Sequence, residues 1–144
     1  MKQRIIKSKA FIAAGIVLLA LTTLSFVHGV MAPGNSVTKI NLNPRTPNIL
    51  LNGQKVMIEF SYTTNEAAGV RIFARPFTAG SPSPSYAASP APLSPMGSGT
   101  GTQNFTISTG NMKVDQIRFQ MYNAAQTTVL FEAFIPVYYE FRTP

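Results

Sequence analysis

The chain has 144 residues, which is enough for one domain and a leader segment. It has no cysteine and one histidine, His28 beside the apolar leader, so the folded part is expected to lack disulfides, cysteine-ligated metals and histidine-based catalysis. The formal charge is +7, but four of the twelve basic residues precede the first apolar run, which leaves eight basic against five acidic residues. Those eight are scattered, and the composition therefore argues against nucleic-acid binding.

An export signal is predicted over residues 1–29. The basic segment MKQRIIKSKA precedes a continuous apolar run of 17 residues, Phe11–Val27, and small residues follow that run. Cleavage is expected after Gly29, because cleavage after Ala32 would place a proline immediately downstream. The run also has the length of an uncleaved anchor, which would hold the protein at the membrane. Either way, the protein is expected to be secreted or held in the cell envelope.

A third interpretation of the leader is that of a type IV pilin-like subunit. Lys9-Ala10 followed by Phe11 resembles a prepilin cleavage point before a long apolar helix. The fifth residue after that point is Gly15, where pilins usually carry a glutamate that helps subunits register in the filament. This departure weighs against the pilin interpretation.

An N-terminal arm is predicted over residues 30–43, ahead of a sandwich domain over residues 44–144. Within the arm, SVTKINLN is a candidate strand that ends at the turn signal Asn43-Pro44. We expect its apolar residues to insert into a neighbouring subunit's sheet, where main-chain hydrogen bonds supply affinity. The candidate assembly residues are Val37, Ile40 and Leu42.

The next two strands are predicted from strict alternation. After the turn at Asn52-Gly53, apolar residues alternate with others from Val56 to Tyr62. A second alternating run follows over residues 70–75. One of its faces is apolar, and the other carries Arg71, Phe73 and Arg75.

A segment rich in glycine, serine and proline, Pro76 to Gly101, then interrupts the pattern. It contains six prolines and is too poor in apolar residues to build a core of its own. Because large side chains recur in it, we expect it to pack back onto the sandwich as an ordered flap over a sheet face or edge. Those side chains are Phe77, Tyr86, Leu93 and Met96, and Tyr86 is the candidate for an exposed contact.

Three further strands are predicted after this segment: NFTIS, KVDQIRFQMYN and a long terminal run. In that run, alternate residues from Val129 to Phe141 are apolar over 13 residues, and Pro136 marks an expected bulge or edge. About seven strands, with no helical periodicity after the leader, predict an all-β, antiparallel, immunoglobulin-like β-sandwich. A closed barrel is the alternative.

Several segments carry a resemblance to a known kind of domain. GVRIFARPF, YAAS, GSGTG, FTI and VDQIRFQM, followed by an apolar terminal strand, resemble an immunoglobulin-like β-sandwich module of secreted bacterial proteins of uncharacterised function. The resemblance covers about Val56 to Phe141. It implies the sandwich fold and an extracellular setting, and it transfers no catalytic residue.

A polar and aromatic platform is predicted where two strand faces meet, one on residues 71–75 and one on residues 118–122. If Asp115 or Glu59 faces one of its arginines, a cross-strand ion pair worth about 0.2–1 kcal/mol is the plainer interpretation. The candidate binding residues are Arg71, Phe73, Arg75, Tyr86, Arg118 and Tyr122.

No cofactor or metal is expected, because the five acidic residues do not cluster. Glu59 and Glu132 are expected on solvent faces and not as a glycosidase pair. The sequence therefore favours a non-enzymatic protein that self-associates into oligomers or filaments. The alternative is an extracellular module that binds a glycan or a surface protein, although the absence of tryptophan weakens the glycan case.

Overall fold

A computed structural model describes residues 32–144, which form ten strands. The predicted leader, its cleavage site and its pilin-like alternative lie outside the described residues. Within residues 32–144, no helix has the length and apolar character needed to cross a membrane. The strands are β1 (Ser36–Asn43), β2 (Asn48–Leu51), β3 (Val56–Thr64), β4 (Val70–Thr78), β5 (Ser81–Pro82), β6 (Tyr86–Ala88), β7 (Leu93–Ser94), β8 (Gly97–Ile107), β9 (Met112–Asn123) and β10 (Val129–Arg142).

The strands form two sheets that pack face to face. Sheet 1 has the order β1-β3-β8-β6, and sheet 2 has the order β2-β10-β9-β4-β5, with β7 also paired to β4. All of these pairs are antiparallel except β2 with β10, which is parallel. The predicted immunoglobulin-like β-sandwich is confirmed. The strand number exceeds the predicted seven because β5, β6 and β7 are pairings of two or three residues inside the predicted loop.

The core follows the predicted alternation. Every second residue of β3, from Val56 to Tyr62, is buried, and the same holds for the apolar faces of β4 and β9. Phe60 of sheet 1 meets Phe119 of sheet 2 edge to face, with ring centroids 5.8 Å apart. One continuous apolar layer therefore joins the sheets and leaves their outer faces for other roles.

The glycine-rich start of β8 was predicted as loop and is a strand. Gly99 and Gly101 lie on the inner face of β8, opposite Tyr62 and Phe60 of β3. A Cβ atom on Gly101 would lie 2.5 Å from Cζ of Phe60, so the glycine makes room for that ring. Alternation did not reveal this strand, because its inner positions are glycines and the core beside them is filled by the Phe60 and Tyr62 rings of β3.

The long terminal strand bends where proline was expected to mark a bulge. The register of β10 against β9 shifts between Pro136 and Tyr139, and this confirms the predicted irregularity. The freed Tyr138 N–H donates to Oγ1 of Thr46, 2.7 Å away. Tyr139 is fully buried, its hydroxyl donates to the Pro44 carbonyl, and burial raises its pKa to about 12.

The predicted N-terminal arm is not a free arm in the structure. Val37 is buried, Ile40 and Leu42 are half-buried, and the whole of β1 pairs with β3 of the same chain. Its alternating apolar residues complete the chain's own core, so the sandwich begins before residue 44. What remains open is the other edge of β1.

The segment between β4 and β8, residues 79–96, is called the flap below. Its strands lie along sheet edges, with β5 and β7 on β4 and β6 on β8. Of the large side chains expected to anchor it, only Phe77 is buried, and that residue belongs to β4. Tyr86, Leu93 and Met96 are exposed. Polar contacts, described next, hold the flap instead.

Candidate binding groove

The two strand faces predicted to form a polar and aromatic platform lie on neighbouring strands of sheet 2. Strands β4 and β9 pair antiparallel, and their outward residues stand side by side because Ile72, Ala74 and Phe119 point into the core. Directly opposite pairs on this face are Arg71 with Tyr122, Phe73 with Gln120, and Arg75 with Arg118. The structure thus brings together the residues that alternation had placed on one face of each strand.

A shallow groove of about 220 Å³ lies on this face. The rings of Phe73 and Tyr122 meet edge to face in it, with centroids 5.6 Å apart. Tyr86 reaches it from the flap and is 37% exposed. The groove is lined by Phe73, Arg75, Tyr86, Arg118, Gln120, Tyr122 and Gln126. We call this set the binding groove.

Arg75 mainly serves the flap. Its Nη1 donates to Oε1 of Gln103, 3.0 Å away, and its Nη2 donates to the Ser89 carbonyl at 3.2 Å. Gln103 is itself buried and donates from Nε2 to the Pro90 carbonyl at 2.9 Å. Burial, with a smaller contribution from Arg118, holds the pKa of Arg75 below the usual arginine value, although Tyr86 opposes the shift. We call Arg75 and Gln103, with the two carbonyls, the clasp.

Arg71 holds the same segment two residues further along the flap, at Ala91. Its Nη1 donates to the Ala91 carbonyl at 2.9 Å, and Ala91 is buried. Ser89 adds a backbone bond to the Asn104 carbonyl at 3.0 Å, which ties the flap to β8. Two of the three predicted binding arginines therefore have a structural task.

The alternative that these arginines form cross-strand ion pairs is wrong. Within residues 32–144, neither Arg71, Arg75 nor Arg118 lies within salt-bridge distance of a carboxylate. Asp115 accepts a hydrogen bond from the Ala79 N–H at 3.0 Å, and Glu59 belongs to sheet 1. The positive charge of this face is consequently not neutralised by direct pairing.

Arg75 also lies over a ring, with its guanidinium carbon 5.0 Å from the Phe73 centroid, but Arg118 differs from Arg71 and Arg75 because, among residues 32–144, it makes no hydrogen bond to the flap. Its guanidinium carbon lies 4.7 Å from the ring centroid of Phe77, which also packs edge to face on Phe134. This stacking orients a half-buried cation toward the groove without engaging it in a flap contact. Arg118 is thus the cation best placed for a ligand.

A short chain of polar contacts fixes the floor of the groove. The Tyr122 hydroxyl donates to Oε1 of Gln120 at 3.3 Å, and Nε2 of Gln120 donates to Oε2 of Glu132 at 2.6 Å. Sequence reasoning left Gln120 out of the candidate set, although it alternates with Arg118 and Tyr122. It also missed the buried Gln103, which no pattern in its threonine-rich surroundings indicates.

A second shallow depression, of about 450 Å³, lies on the outer face of sheet 1. Most of its side chains are polar, and the one aromatic residue in its lining, Phe60, is buried. Its lining includes Lys39, Asn41, Glu59, Ser61, Thr100 and Thr102. Asn41 donates from Nδ2 to Oε2 of Glu59 at 3.4 Å, so the one carboxylate here has a partner.

The arrangement of acidic residues does not resemble a catalytic or metal site. Glu59 and Glu132 lie on different sheets of the sandwich, and each accepts a hydrogen bond from a neighbouring amide. In the part of the chain that the structure describes, no three acidic or histidine side chains converge as metal ligands.

No protein-family model and no curated protein sequence matches the chain. Among solved structures, it is similar to a Niemann-Pick type C2 protein from the Japanese carpenter ant, with 11% identity, a TM-score of 0.50, and coverage of 81% of this chain and 100% of that chain. It is also similar to the periplasmic chaperone SfaE, with 14% identity, a TM-score of 0.40, and coverage of 73% of this chain and 58% of the chaperone. The resemblance to a secreted bacterial module is supported only as far as the immunoglobulin-like β-sandwich.

Proposed function

We propose that the protein is a secreted or envelope-held binding module without catalytic activity, and that the binding groove receives its ligand. The observation that carries this proposal is the placement of one exposed and two half-buried aromatic rings beside Arg118, a cation that has no carboxylate partner within residues 32–144. Tyr86, Tyr122 and Phe73 offer contact area at low entropic cost, and Arg118 adds a fixed charge. Exposed aromatic and arginine side chains are the types enriched at interaction surfaces.

The rigidity of the groove supports the same proposal. Its wall on the β4 side is held by the clasp, and its floor by the hydrogen bonds of Gln120. A ligand would therefore meet side chains that are already oriented, which lowers the entropic cost of binding. The flap then has a function as a wall, since it presents Tyr86 at the edge of the groove.

A glycan and surface-protein array probed with the intact protein tests this proposal. Tyr86→Ala should reduce binding to any hit by about tenfold. Truncating an aromatic residue that contributes to an interface typically costs more than about 1 kcal/mol of binding free energy. Tyr138→Ala is the matched control, since Tyr138 is similarly exposed at 43% but lies on the far part of β10. Equal loss from both variants, or no hit on either array, would overturn the assignment of the groove.

Self-association is a second candidate, favoured by the open edge of β1. This strand has eight residues and, among the strands of residues 32–144, pairs on one side only, with β3. The edge of β2 is less open, because Gln54 accepts from the Leu51 N–H and donates to the Leu51 carbonyl. A backbone irregularity at Lys39, which has a φ of 51°, interrupts β1 and limits how many hydrogen bonds a second copy could add.

Size-exclusion chromatography with electron microscopy, together with intact mass, tests that candidate. Oligomers or filaments that dissociate when Ile40→Pro disrupts β1 would support it. A monodisperse monomer across the concentration range would count against it and leave the groove as the working surface.

A further inference from the structure

We propose that the ligand of the binding groove is an acidic saccharide whose anionic group binds Arg118, next to the charge of Arg75, while a sugar ring stacks on Tyr86. This inference rests on the proposed function and names the ligand class. It is carried by the like-charged arginine pair and by the surrounding amides and hydroxyls.

The arginine pair is the first argument. Arg75 and Arg118 are direct cross-strand partners, and like charges in that position destabilise a sheet. Within residues 32–144, no carboxylate forms a salt bridge with either of them. The one acidic side chain bonded to the groove, Glu132, is turned toward Gln120. An anion bound to Arg118 would supply the missing counter-charge for this pair, and an arginine fork suits carboxylate and sulfate groups.

The polar lining favours a saccharide over a peptide. Gln120, Gln126 and Tyr122 present amide and hydroxyl groups that match ring hydroxyls, and Tyr86 presents an exposed ring. An extended peptide usually adds to a free strand edge. Here β4 is paired with β9 along one side, and β5 and β7 pair with the two ends of its other side, so only residues 72–76 of that edge lack a strand partner.

The size of the groove is consistent with one unit of a polymer. A volume of 220 Å³ lies below the range of about 300–1,000 Å³ typical of pockets that enclose a whole small molecule. A chain that passes over the groove could place one charged ring in it, while neighbouring rings remain in solvent. We therefore expect weak binding to a single unit and stronger binding to oligomers.

Affinity electrophoresis of the intact protein, with four polymers as probes, tests this inference. Polygalacturonate carries carboxylates, its fully methyl-esterified form has the same rings without charge, dextran sulfate carries sulfates, and poly-glutamate is an acidic peptide. We expect polygalacturonate or dextran sulfate to retard the protein. The affinity for the methyl ester and the affinity for poly-glutamate should each be at least tenfold lower. Tighter binding of polygalacturonate would indicate a uronate ligand, and tighter binding of dextran sulfate would indicate a sulfated sugar.

Two charge variants separate a specific site from general attraction. Arg118→Gln should weaken binding about tenfold, whereas Arg142→Gln, which removes an equally charged side chain bonded to Glu140 on β10, should leave it unchanged. Arg118→Lys should recover only part of the affinity, because lysine lacks the planar fork.

Each remaining outcome overturns the inference. Equal loss from Arg118→Gln and Arg142→Gln would indicate attraction by net charge, and equal retardation by poly-glutamate would indicate an acidic peptide. Binding to the methyl ester alone, or to a neutral glycan on the array with loss in Tyr86→Ala, would refute the anion while the proposed binding module stands. No binding by any probe, together with an empty array, would refute both.

Discussion

The two sides of the binding groove contain the same residue types in different surroundings. On the β4 side, Arg75 reaches around the sheet edge into the buried clasp with Gln103. On the β9 side, Arg118 lies over Phe77 and contacts no carboxylate of the described chain. An outward arginine on a strand can therefore hold a neighbouring segment in place or remain available for binding. Which of the two applies depends on whether a segment such as the flap covers the strand edge beside it. We refer to this as the division between Arg75 and Arg118.

The largest expected effect concerns the clasp. Arg75→Met should lower the free energy of unfolding by about 3 kcal/mol, because the Ser89 carbonyl and Gln103 lose a charged donor in a buried setting. Arg118→Met should lower it by less than about 1 kcal/mol, the value of a partly exposed cation–π contact. Urea denaturation of both variants measures the difference. Equal losses would contradict the division.

Alkaline pH tests the core independently of either arginine. The folded-state pKa of Tyr139, about 12, lies above the ordinary tyrosine value, so the fold favours the protonated hydroxyl. That stabilisation is present below about pH 10 and is lost as the pH rises toward 12, with a total of up to about 3 kcal/mol. Tyr139→Phe should flatten this part of the stability profile. An unchanged slope would show that other groups cause the alkaline loss.

A double-mutant cycle sharpens the comparison of the two arginines. Arg75→Met and Gln103→Leu should show a coupling free energy of about 1–2 kcal/mol, since their side chains share a hydrogen bond. Arg118→Met and Gln103→Leu should be additive within about 0.5 kcal/mol. Coupling of similar size in both cycles would mean that Arg118 also belongs to the clasp.

The smallest expected effect concerns Arg71. Arg71→Met removes the donor to the Ala91 carbonyl and should ease flap opening by about 1 kcal/mol. The Ser89 amide, which bonds to the Asn104 carbonyl, should then exchange its hydrogen about fivefold faster. The core amide of Phe119 serves as control. Equal acceleration at both amides would indicate global destabilisation.

Much of the fold followed from alternation in the sequence. The inward faces of β3, β4 and β9 were predicted correctly because each buries every second residue on one side. The start of β8 was missed, since its inner face is built from Gly99 and Gly101 under the rings of β3. Alternation did not indicate that β1 pairs with β3 of its own chain, because an edge strand and a donated strand have the same local pattern.

The sequence predicted which residues share the outer face of each strand of the candidate site, but not the contacts that each side chain makes. Alternation placed Phe73 with Arg75, and Arg118 with Tyr122, and the pairing of β4 with β9 then joined them. No local pattern indicates that Arg75 turns inward, because its partner Gln103 lies 28 residues away on the other sheet. The different contacts of Arg75 and Arg118 therefore arise from the tertiary structure and not from the local sequence.

Chemical-shift mapping of the isotope-labelled protein during titration with a polygalacturonate oligomer is the most direct test of the binding groove. The account predicts shifts at Phe73, Tyr86, Arg118, Gln120 and Tyr122, and none at Glu59, Ser61, Thr100 and Thr102 on the outer face of sheet 1. Shifts confined to sheet 1, or spread evenly over basic residues at both ends of the sandwich, would contradict it.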